Sequence, residues 1–526
     1  MQVSDLLVAS LEREGVEHVF GLPGEELEDL LFSLRESTVT FVPVRHEQGA
    51  AFMADVHGRL TGDAGVCLST LGPGATNLLT GVADAHLDKS PLVAITGQGG
   101  LERLHQESHQ AIDVLQTFAS VTKWNTQLDS SEIVHESVRK AFKVAEHEKP
   151  GATHMELPED VAGGQTETEP MAAGERIPIG APAPDSLDRA ETLLAESERP
   201  ILLVGNGVVR TDASEQLREF VDATDAPVVS TYMGKGAVSD DDDRSLMTLD
   251  SGSNGEPARA IEAADLVLTL GYDIAEHDPG DWYPGTTPLV HVDSEPAEVY
   301  EAYGPDVEIV ADVGETLGHL TDWCRAGHPS FERDWYDDLR EQIVADVDDE
   351  PVGEPPFTVR SVLPVLRSEM ASEDVLVSDV GSHKMAIAQN FPTYEPNTCI
   401  VSNGFASMGI AVPGGLAADL AVDSNVVAAC GDGGFMMNAA EIETATRFGC
   451  EYTILLFVDD DYGLISQQQQ AHTGESFGTE LTNPEFQTLA ESFGIEGYRP
   501  ESATEIRDAL RDAIDGGLSL VEIPVA

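Results

Sequence analysis

The sequence predicts an α/β fold built as three doubly wound parallel-sheet domains, and three observations lead there. Short β-branched runs recur along the chain, each followed by a Gly-rich or polar turn and then by helical periodicity, the pattern of parallel strands covered by helices. A chain of 526 residues has room for about three domains at roughly 150 residues each. Two stretches lack the alternation. Residues 162–186 are rich in Pro, Gly and polar side chains, and residues 344–357 combine acidic charge with proline, so both read as linkers. They divide the chain into an N-terminal domain at 1–165, a central domain at 186–330 and a C-terminal domain at 355–526.

The elements follow in order. "MQVSDLLVASLEREGVEHVF" carries Asp5, Glu12 and Glu14 and has no basic leader region, so it reads as an amphipathic helix and not as a signal peptide. Strands are expected at 40–44, 65–70, 91–97, 200–207, 266–271, 375–381, 426–430, 452–458 and 519–525. The uncharged stretch Thr398 to Ala418 contains Pro413, four glycines and a Ser-Asn pair, which suit a buried α/β core better than a membrane span.

Charge sets limits on partners. The chain has 94 acidic against 29 basic residues, for a formal net charge of −65, and only seven of the basic residues are lysines. Such an excess, spread over the whole chain, self-repels in dilute buffer and suits concentrated salt, the solvated surface of a halophile's protein. It excludes a nucleic-acid partner, which needs clustered Lys and Arg. The five cysteines, Cys67, Cys324, Cys399, Cys430 and Cys450, are odd in number and show no metal spacing. They read as core residues of a protein in a reducing, cytoplasmic compartment.

One stretch concentrates acidic groups beside glycines: "GDGGFMMNAAEIETATRFGCEYTILLFVDDDYG", residues 431–463. A strand, then the turn Gly431-Asp432-Gly433-Gly434, then a helix from about Phe435 to Phe448, exposes backbone N–H groups at the carboxyl end of a sheet strand, where phosphate binds well. Phosphates beside a carboxylate call for a divalent cation, and Mg²⁺ suits an all-oxygen shell completed by phosphate oxygens. Asp432 offers one ligand. The next strand ends at Asp459, which returns a second oxygen to the same edge, and the backbone carbonyl of Asp461 offers a third.

That arrangement resembles the diphosphate and Mg²⁺ signature of thiamine-diphosphate enzymes. "VFGLPGEELEDL" (19–30), "VRHEQGAAFMADVHGRLTG" (44–62), "LGPGATN" (71–77) and "PLVAITGQ" (91–98) resemble the pyrimidine-binding domain of the acetolactate synthase group. "TYMGKG" (231–236) falls in the part similar to its central domain, and "SDVGSHKM" (378–385) and "SNGFASMGIAVPGG" (402–415) in the part similar to its diphosphate domain. The resemblance covers nearly the whole chain. It implies thiamine diphosphate and Mg²⁺ as cofactors, with Gly21, Pro23, Gly24, Glu47, Pro73, Asn77, Gly381, Ser382, His383, Gly404, Met408, Gly431, Asp432, Gly433, Gly434, Tyr462, Gly463 and Leu464 around the cofactor, and Asp432, Asp459 and Asp461 at the metal.

Roles follow by the same resemblance. Glu47 matches the family's activating glutamate, whose carboxyl exchanges a proton with the cofactor's pyrimidine ring. Met408 matches the apolar residue that props the cofactor's bent conformation. In this family Glu47 of one chain meets the diphosphate held by another, which implies a homodimer or homotetramer with active sites between subunits. No feature indicates a regulatory small subunit.

The closest resemblance is to the catabolic, FAD-independent branch. His109 and Gln110, in "HQESHQAID" (105–113), match that branch's His-Gln and are expected to contact the reacting substrate. "GYDIAEHDPGDWYP" (271–284) and Asp459, where Asn is commoner, agree, and nothing in the central domain calls for FAD. Gln468 stands where many anabolic enzymes carry a tryptophan that favours 2-oxobutyrate, so pyruvate is the expected acceptor. The expected reaction is decarboxylation of pyruvate and transfer of the two-carbon unit to a second 2-ketoacid, giving 2-acetolactate and CO₂. The alternatives are an anabolic acetohydroxyacid synthase of branched-chain amino-acid synthesis, a relative like sulfoacetaldehyde acetyltransferase or benzoylformate decarboxylase, and a non-catalytic cofactor-binding regulator. Pyruvate decarboxylases carry a His-His pair that this chain lacks.

Overall fold

The computed structural model describes residues 1–249, 255–327, 330–348 and 350–526. Its described strands form three six-stranded sheets in which the paired neighbours run parallel, with helices between them. The first sheet contains β1 (His18–Gly21), β2 (Thr40–Pro43), β3 (Gly65–Ser69), β4 (Leu92–Gln98), β5 (Trp124–Gln127) and β6 (Ala152–Pro158), ordered β2-β1-β3-β4-β6-β5. The second contains β7 (Pro200–Val204), β8 (Val228–Ser230), β9 (Ser245–Thr248), β10 (Leu266–Leu270), β11 (Leu289–Asp293) and β12 (Val307–Val310), ordered β12-β11-β10-β7-β8-β9. The third contains β13 (Val375–Ser378), β14 (Cys399–Val401), β15 (Val426–Gly431), β16 (Thr453–Val458), β17 (Glu496–Tyr498) and β18 (Ser519–Pro524), ordered β14-β13-β15-β16-β18-β17. The first and third sheets therefore share one strand order. The central one has another, counted 3-2-1-4-5-6 from its β9 edge.

One continuous apolar core joins the first and third domains. Helix Glu47–Thr61, rich in alanine on its buried face, packs on helix Ala411–Ala421, whose glycines allow close approach: a Cβ on Gly414 would stand 2.9 Å from Val56 Cγ2. The five cysteines are free and buried. Residues 398–418 become β14 and most of helix Ala411–Ala421, and among the described residues no helix is long and apolar enough to cross a membrane.

Two local expectations change. Residues 344–348, read as linker, end the helix Asp337–Asp348, because Ile343 and Val347 are buried in the central domain's apolar cluster that also holds Met247 and Leu249; residue 349 lies outside the described residues. The helix expected over 435–448 is two helices, Asp432–Asn438 and Glu441–Phe448. It begins at Asp432 itself, and it breaks after Asn438, a weak helix former whose amide donates to the Gly409 carbonyl at 2.8 Å.

Candidate active site

β15 and β16 are paired neighbours, with Gly431 beside Phe457, so the acidic residues that follow each strand emerge together at the carboxyl edge of the third sheet. Asp432 is 2% exposed. Its Oδ1 accepts the Gly433 N–H at 2.9 Å, and its Oδ2 accepts the Asp460 N–H at 2.9 Å and the Asn483 amide at 2.7 Å. Asp460 turns the chain in the left-handed region, at φ 56°, and the Asp461 N–H then donates to Asp459 Oδ1 at 3.2 Å. Burial raises the Asp432 carboxyl, and burial followed by the Asp432 charge pushes Asp459 up to about 6. Two carboxyl groups raised by burial in a partly dry site, one of them further raised by its neighbour's charge, are stabilised as anions by a nearby cation. Among the described residues no three His, Cys, Asp or Glu side chains converge on one metal-sized point, so a cation held here needs further oxygens from backbone or ligand.

Beside these groups lies a cavity of about 260 Å³. It is lined by Gly381, Ser382, His383, Met408, Gly431, Asp432, Gly433, Gly434, Asp459, Asp461, Tyr462, Gly463 and Leu464 of the expected set, and also by Val380, Ala406, Phe457 and Ile465. Close backbone approach is built in: a Cβ on Gly433 would stand 2.7 Å from the Tyr462 ring, and one on Gly463 would stand 2.5 Å from Asp459 Oδ2. One buried polar atom on this wall, His383 Nε2, has no hydrogen-bond partner in the protein. Burial pushes His383 down to about 4, so its imidazole is neutral. Glycine cradle, neighbouring carboxyl groups and an unpaired imidazole nitrogen together suit a ligand with a diphosphate and a counter-cation.

Met408 is carried by a loop held from two sides. Asp379, fully buried after β13, accepts the N–H groups of Gly409 at 2.8 Å and Ala411 at 3.1 Å. From the first domain, Asp84 Oδ1 accepts the Ser402 hydroxyl at 2.8 Å and the Ser407 N–H at 3.3 Å, while Asp88 accepts the N–H groups of Asn403 and Gly404. Arg59 offsets that buried negative charge, bonding Asp55, Asp84 and Asp88 at 2.8 to 3.1 Å.

The first-domain residues of the expected set do not line this cavity. Glu47 starts helix Glu47–Thr61, is 5% exposed, and accepts the Asn77 amide at 2.9 Å. Gly74 and Pro73 lie in the first turn of the following helix, with Gly74 pressed against Glu47 Oε1, and Gly24 packs on Thr70 while Gly21 packs on Leu68. Pro23 lies in the same loop, between β1 and the short 3₁₀ turn Glu25–Leu27. His109 and Gln110 are exposed in a turn. Gln468 is exposed on helix Gly463–Thr473, and Gly404 sits at the first-domain contact, both outside the cavity. Within the one chain the expected residues thus fall into two sets, a glutamate half and a diphosphate half, and only the second lines the cavity. Sequence reading missed Asn483, which donates to both Asp432 and Asp460 Oδ1 (2.8 Å); it lies 51 residues beyond Asp432 in a segment without a motif.

Three parallel-sheet domains with these two half-sites define the class. The description "Thiamine pyrophosphate enzyme, N-terminal TPP binding domain" matches residues 1–117, "central domain" matches 187–320 and "C-terminal TPP binding domain" matches 379–523, so the chain is a thiamine pyrophosphate enzyme. Within that class it is 33% identical to the "Probable acetolactate synthase large subunit" of Methanocaldococcus jannaschii, over 98% of this chain and 90% of the relative. It is 32% identical to the "Acetolactate synthase" of Bacillus subtilis (99% and 93%) and to the "Acetolactate synthase, catabolic" of Raoultella terrigena (99% and 94%). The chain belongs to the thiamine-diphosphate-dependent acetolactate synthase family.

Proposed function

We propose that the protein decarboxylates pyruvate and adds the two-carbon unit to a second pyruvate, releasing 2-acetolactate and CO₂, as a catabolic-type acetolactate synthase. The reading rests on near-full-length similarity to acetolactate synthases in a chain that keeps Glu47 at a helix start and pairs Asp432 with the Asp459–Asp461 turn. When bound, thiamine diphosphate supplies the nucleophilic carbon that takes up the donor ketoacid. Asp432, Asp459 and the Asp461 carbonyl would hold Mg²⁺, and the glycines at 431, 433, 434 and 463 would let the backbone approach a diphosphate. Glu47, oriented by Asn77 and buried from bulk water, would exchange a proton with the cofactor's pyrimidine ring. Met408, on the cavity wall, would pack against the bound cofactor. Because only the diphosphate half lines the cavity within one chain, the working unit is a homodimer or larger even-numbered assembly that pairs the Glu47 half of one chain with the Asp432 half of another. His109, Gln110 and Gln468 face the substrate in that assembly.

The test is incubation with thiamine diphosphate, Mg²⁺ and pyruvate in molar KCl, with acetoin measured after acid treatment. Pyruvate consumption that yields acetaldehyde or no acetoin would overturn the carboligase reading. Comparable similarity to a relative named as a large subunit keeps a second reading, an anabolic synthase. Competition between pyruvate and 2-oxobutyrate as acceptors separates the two, since the catabolic reading expects acetolactate to dominate.

A further inference from the structure

The central domain follows the 3-2-1-4-5-6 strand order, which opens a crevice between its first and fourth strands, here β7 and β10, where the connections leave toward opposite faces. In folds of this order a dinucleotide lies across that crevice, with its diphosphate against the Gly-x-Gly turn after the first strand. This chain has both glycines of such a turn, Gly205 and Gly207 in "VGNGVV", directly after β7.

A side chain of the protein already fills the place. Glu276, 6% exposed, reaches from the segment after β10 into the turn. Both its carboxyl oxygens lie 3.1 Å from the Asn206 N–H, Oε1 also accepts the Asp273 N–H at 3.1 Å, and Oε2 accepts the Thr231 hydroxyl that follows β8. The turn itself is shut: a Cβ on Gly205 would stand 2.4 Å from the Gly271 carbonyl oxygen, and one on Gly207 would stand 2.5 Å from Gly271 Cα. The glycines therefore let the connection after β10 pack closely beside the turn, and the Glu276 carboxylate takes the Asn206 N–H that a diphosphate would otherwise meet. The Glu276 segment is also pinned from outside, since its carbonyl accepts the Asn403 amide of the third domain at 2.7 Å and the Asn206 side chain donates to the Asp88 carbonyl of the first at 3.3 Å. A dinucleotide would have to break four hydrogen bonds to Glu276 and separate contacts among three domains.

We infer that Glu276 closes the dinucleotide crevice of the central domain, so that this chain binds neither FAD nor an adenine nucleotide there and the domain serves as a rigid spacer. The residue acts on cofactor choice and touches no reacting atom. The inference does not depend on which ketoacid is used: an inactive protein would leave it standing, and a fully active one that holds flavin would remove it.

The experiment measures nucleotide binding directly. Protein purified in molar KCl without added flavin is denatured and its supernatant read for flavin absorbance, and folded protein is titrated with FAD and with ADP while Tm is followed. The expected result is flavin well below one equivalent and no saturable Tm shift with either nucleotide. Stoichiometric flavin, or a saturable upward shift in the unaltered protein, overturns the proposal. Glu276→Ala removes the occupant, and ADP at millimolar concentration should then raise Tm by about 1–2 °C in a saturable way. A folded Glu276→Ala protein as blind to ADP as the parent would show that something other than Glu276 closes the crevice and would overturn the role given to it. If Glu276→Ala does not fold, the flavin and titration measurements on the parent decide alone.

Discussion

The carboxylate of Glu441 accepts the backbone N–H groups of Arg45 and His46, both at 3.0 Å, from the far side of the molecule's sequence. It also accepts the Thr444 hydroxyl at 2.7 Å, and Gly49 packs against it. A residue at the start of the second helix after β15 thereby fixes the backbone immediately before Glu47. The helix that follows Asp432 and the helix that starts with Glu47 are thus tied through one buried carboxyl group. Glu441→Ala leaves two backbone donors unpaired, which should cost about 2–4 kcal/mol, read as a lower denaturant midpoint. Because Glu47 is the next residue, kcat should fall more than KM rises. A variant with the parent's midpoint and kcat would show that the contact has no such role.

Glu47→Gln should leave the fold and cofactor binding intact, since the amide retains the oxygen that Asn77 needs, while turnover falls about 10²–10⁴-fold for want of a proton to exchange. Single-turnover and steady-state rates with pyruvate check this. Turnover within a factor of two of the parent would remove Glu47 from the chemistry.

Asp432→Ala should weaken cofactor binding more than it slows bound chemistry. The change removes a proposed Mg²⁺ oxygen and also frees the Asp460 N–H and the Asn483 amide, so the left-handed turn that aims Asp459 loses its anchor. Titration of apo-protein with thiamine diphosphate at fixed Mg²⁺ is the measurement. An unchanged dissociation constant would count against this metal site.

What the sequence made legible follows from what each strand contacts. The nine strands foreseen are mostly the apolar central ones such as β4, β10 and β16, whose two buried faces leave continuous Val, Ile and Leu runs. Those missed are short, polar or at edges. β17 reads Glu-Gly-Tyr, β12 alternates buried and exposed residues, and β6 is wholly buried yet carries His154 and Glu156, which find partners in Thr96, Gln98 and Gln127. The diphosphate half was legible because Gly431 to Gly434 and Asp459 to Asp461 are contiguous motifs at adjacent strand ends. Asn483 and Glu441 were not, since the contacts that tie them to Asp460, Asp432 and Arg45 span 23 to 396 residues and leave no local spacing to read.

Salt should stabilise the protein. With a net charge of −65 the surface self-repels in dilute buffer, and at 1 M salt the Debye length falls to about 3 Å, screening exposed carboxylates from one another. The buried pairs of Arg59 with Asp55, Asp84 and Asp88, and of Arg210 with Glu148 and Asp273, are shielded from ions and should lose little. Tm and activity should therefore both rise from dilute buffer to molar KCl. Full stability and activity at low salt would refute the adaptation.

The last prediction concerns pH. Burial, and secondarily the Asp273 charge, pushes the Glu276 carboxyl up from 4.5 to about 8. Between those values the folded protein binds more protons at this group than the unfolded chain, so the stabilisation it gives is complete below 4.5 and is lost as pH rises through about 8. Buried His154, His277 and His383 tilt stability the other way, since burial lowers each below 6.5, but unfolded histidines are already neutral above that value. The window from 6.5 to 8 is therefore governed by raised carboxyl groups, among them Glu14, which burial pushes up to about 7, while Lys123 and Lys384, which burial pushes down to about 8, tilt stability the other way at its upper end. Across it the parent's Tm in molar KCl should fall. Glu276→Gln, uncharged at every pH, should fall less steeply, leaving Glu14 and other raised carboxyls to supply the remaining slope. Parallel Tm curves for the two proteins from pH 6.5 to 8.5 would mean that Glu276 does not change its protonation there, and that its hydrogen bonds from Asn206, Asp273 and Thr231 hold it ionised despite burial.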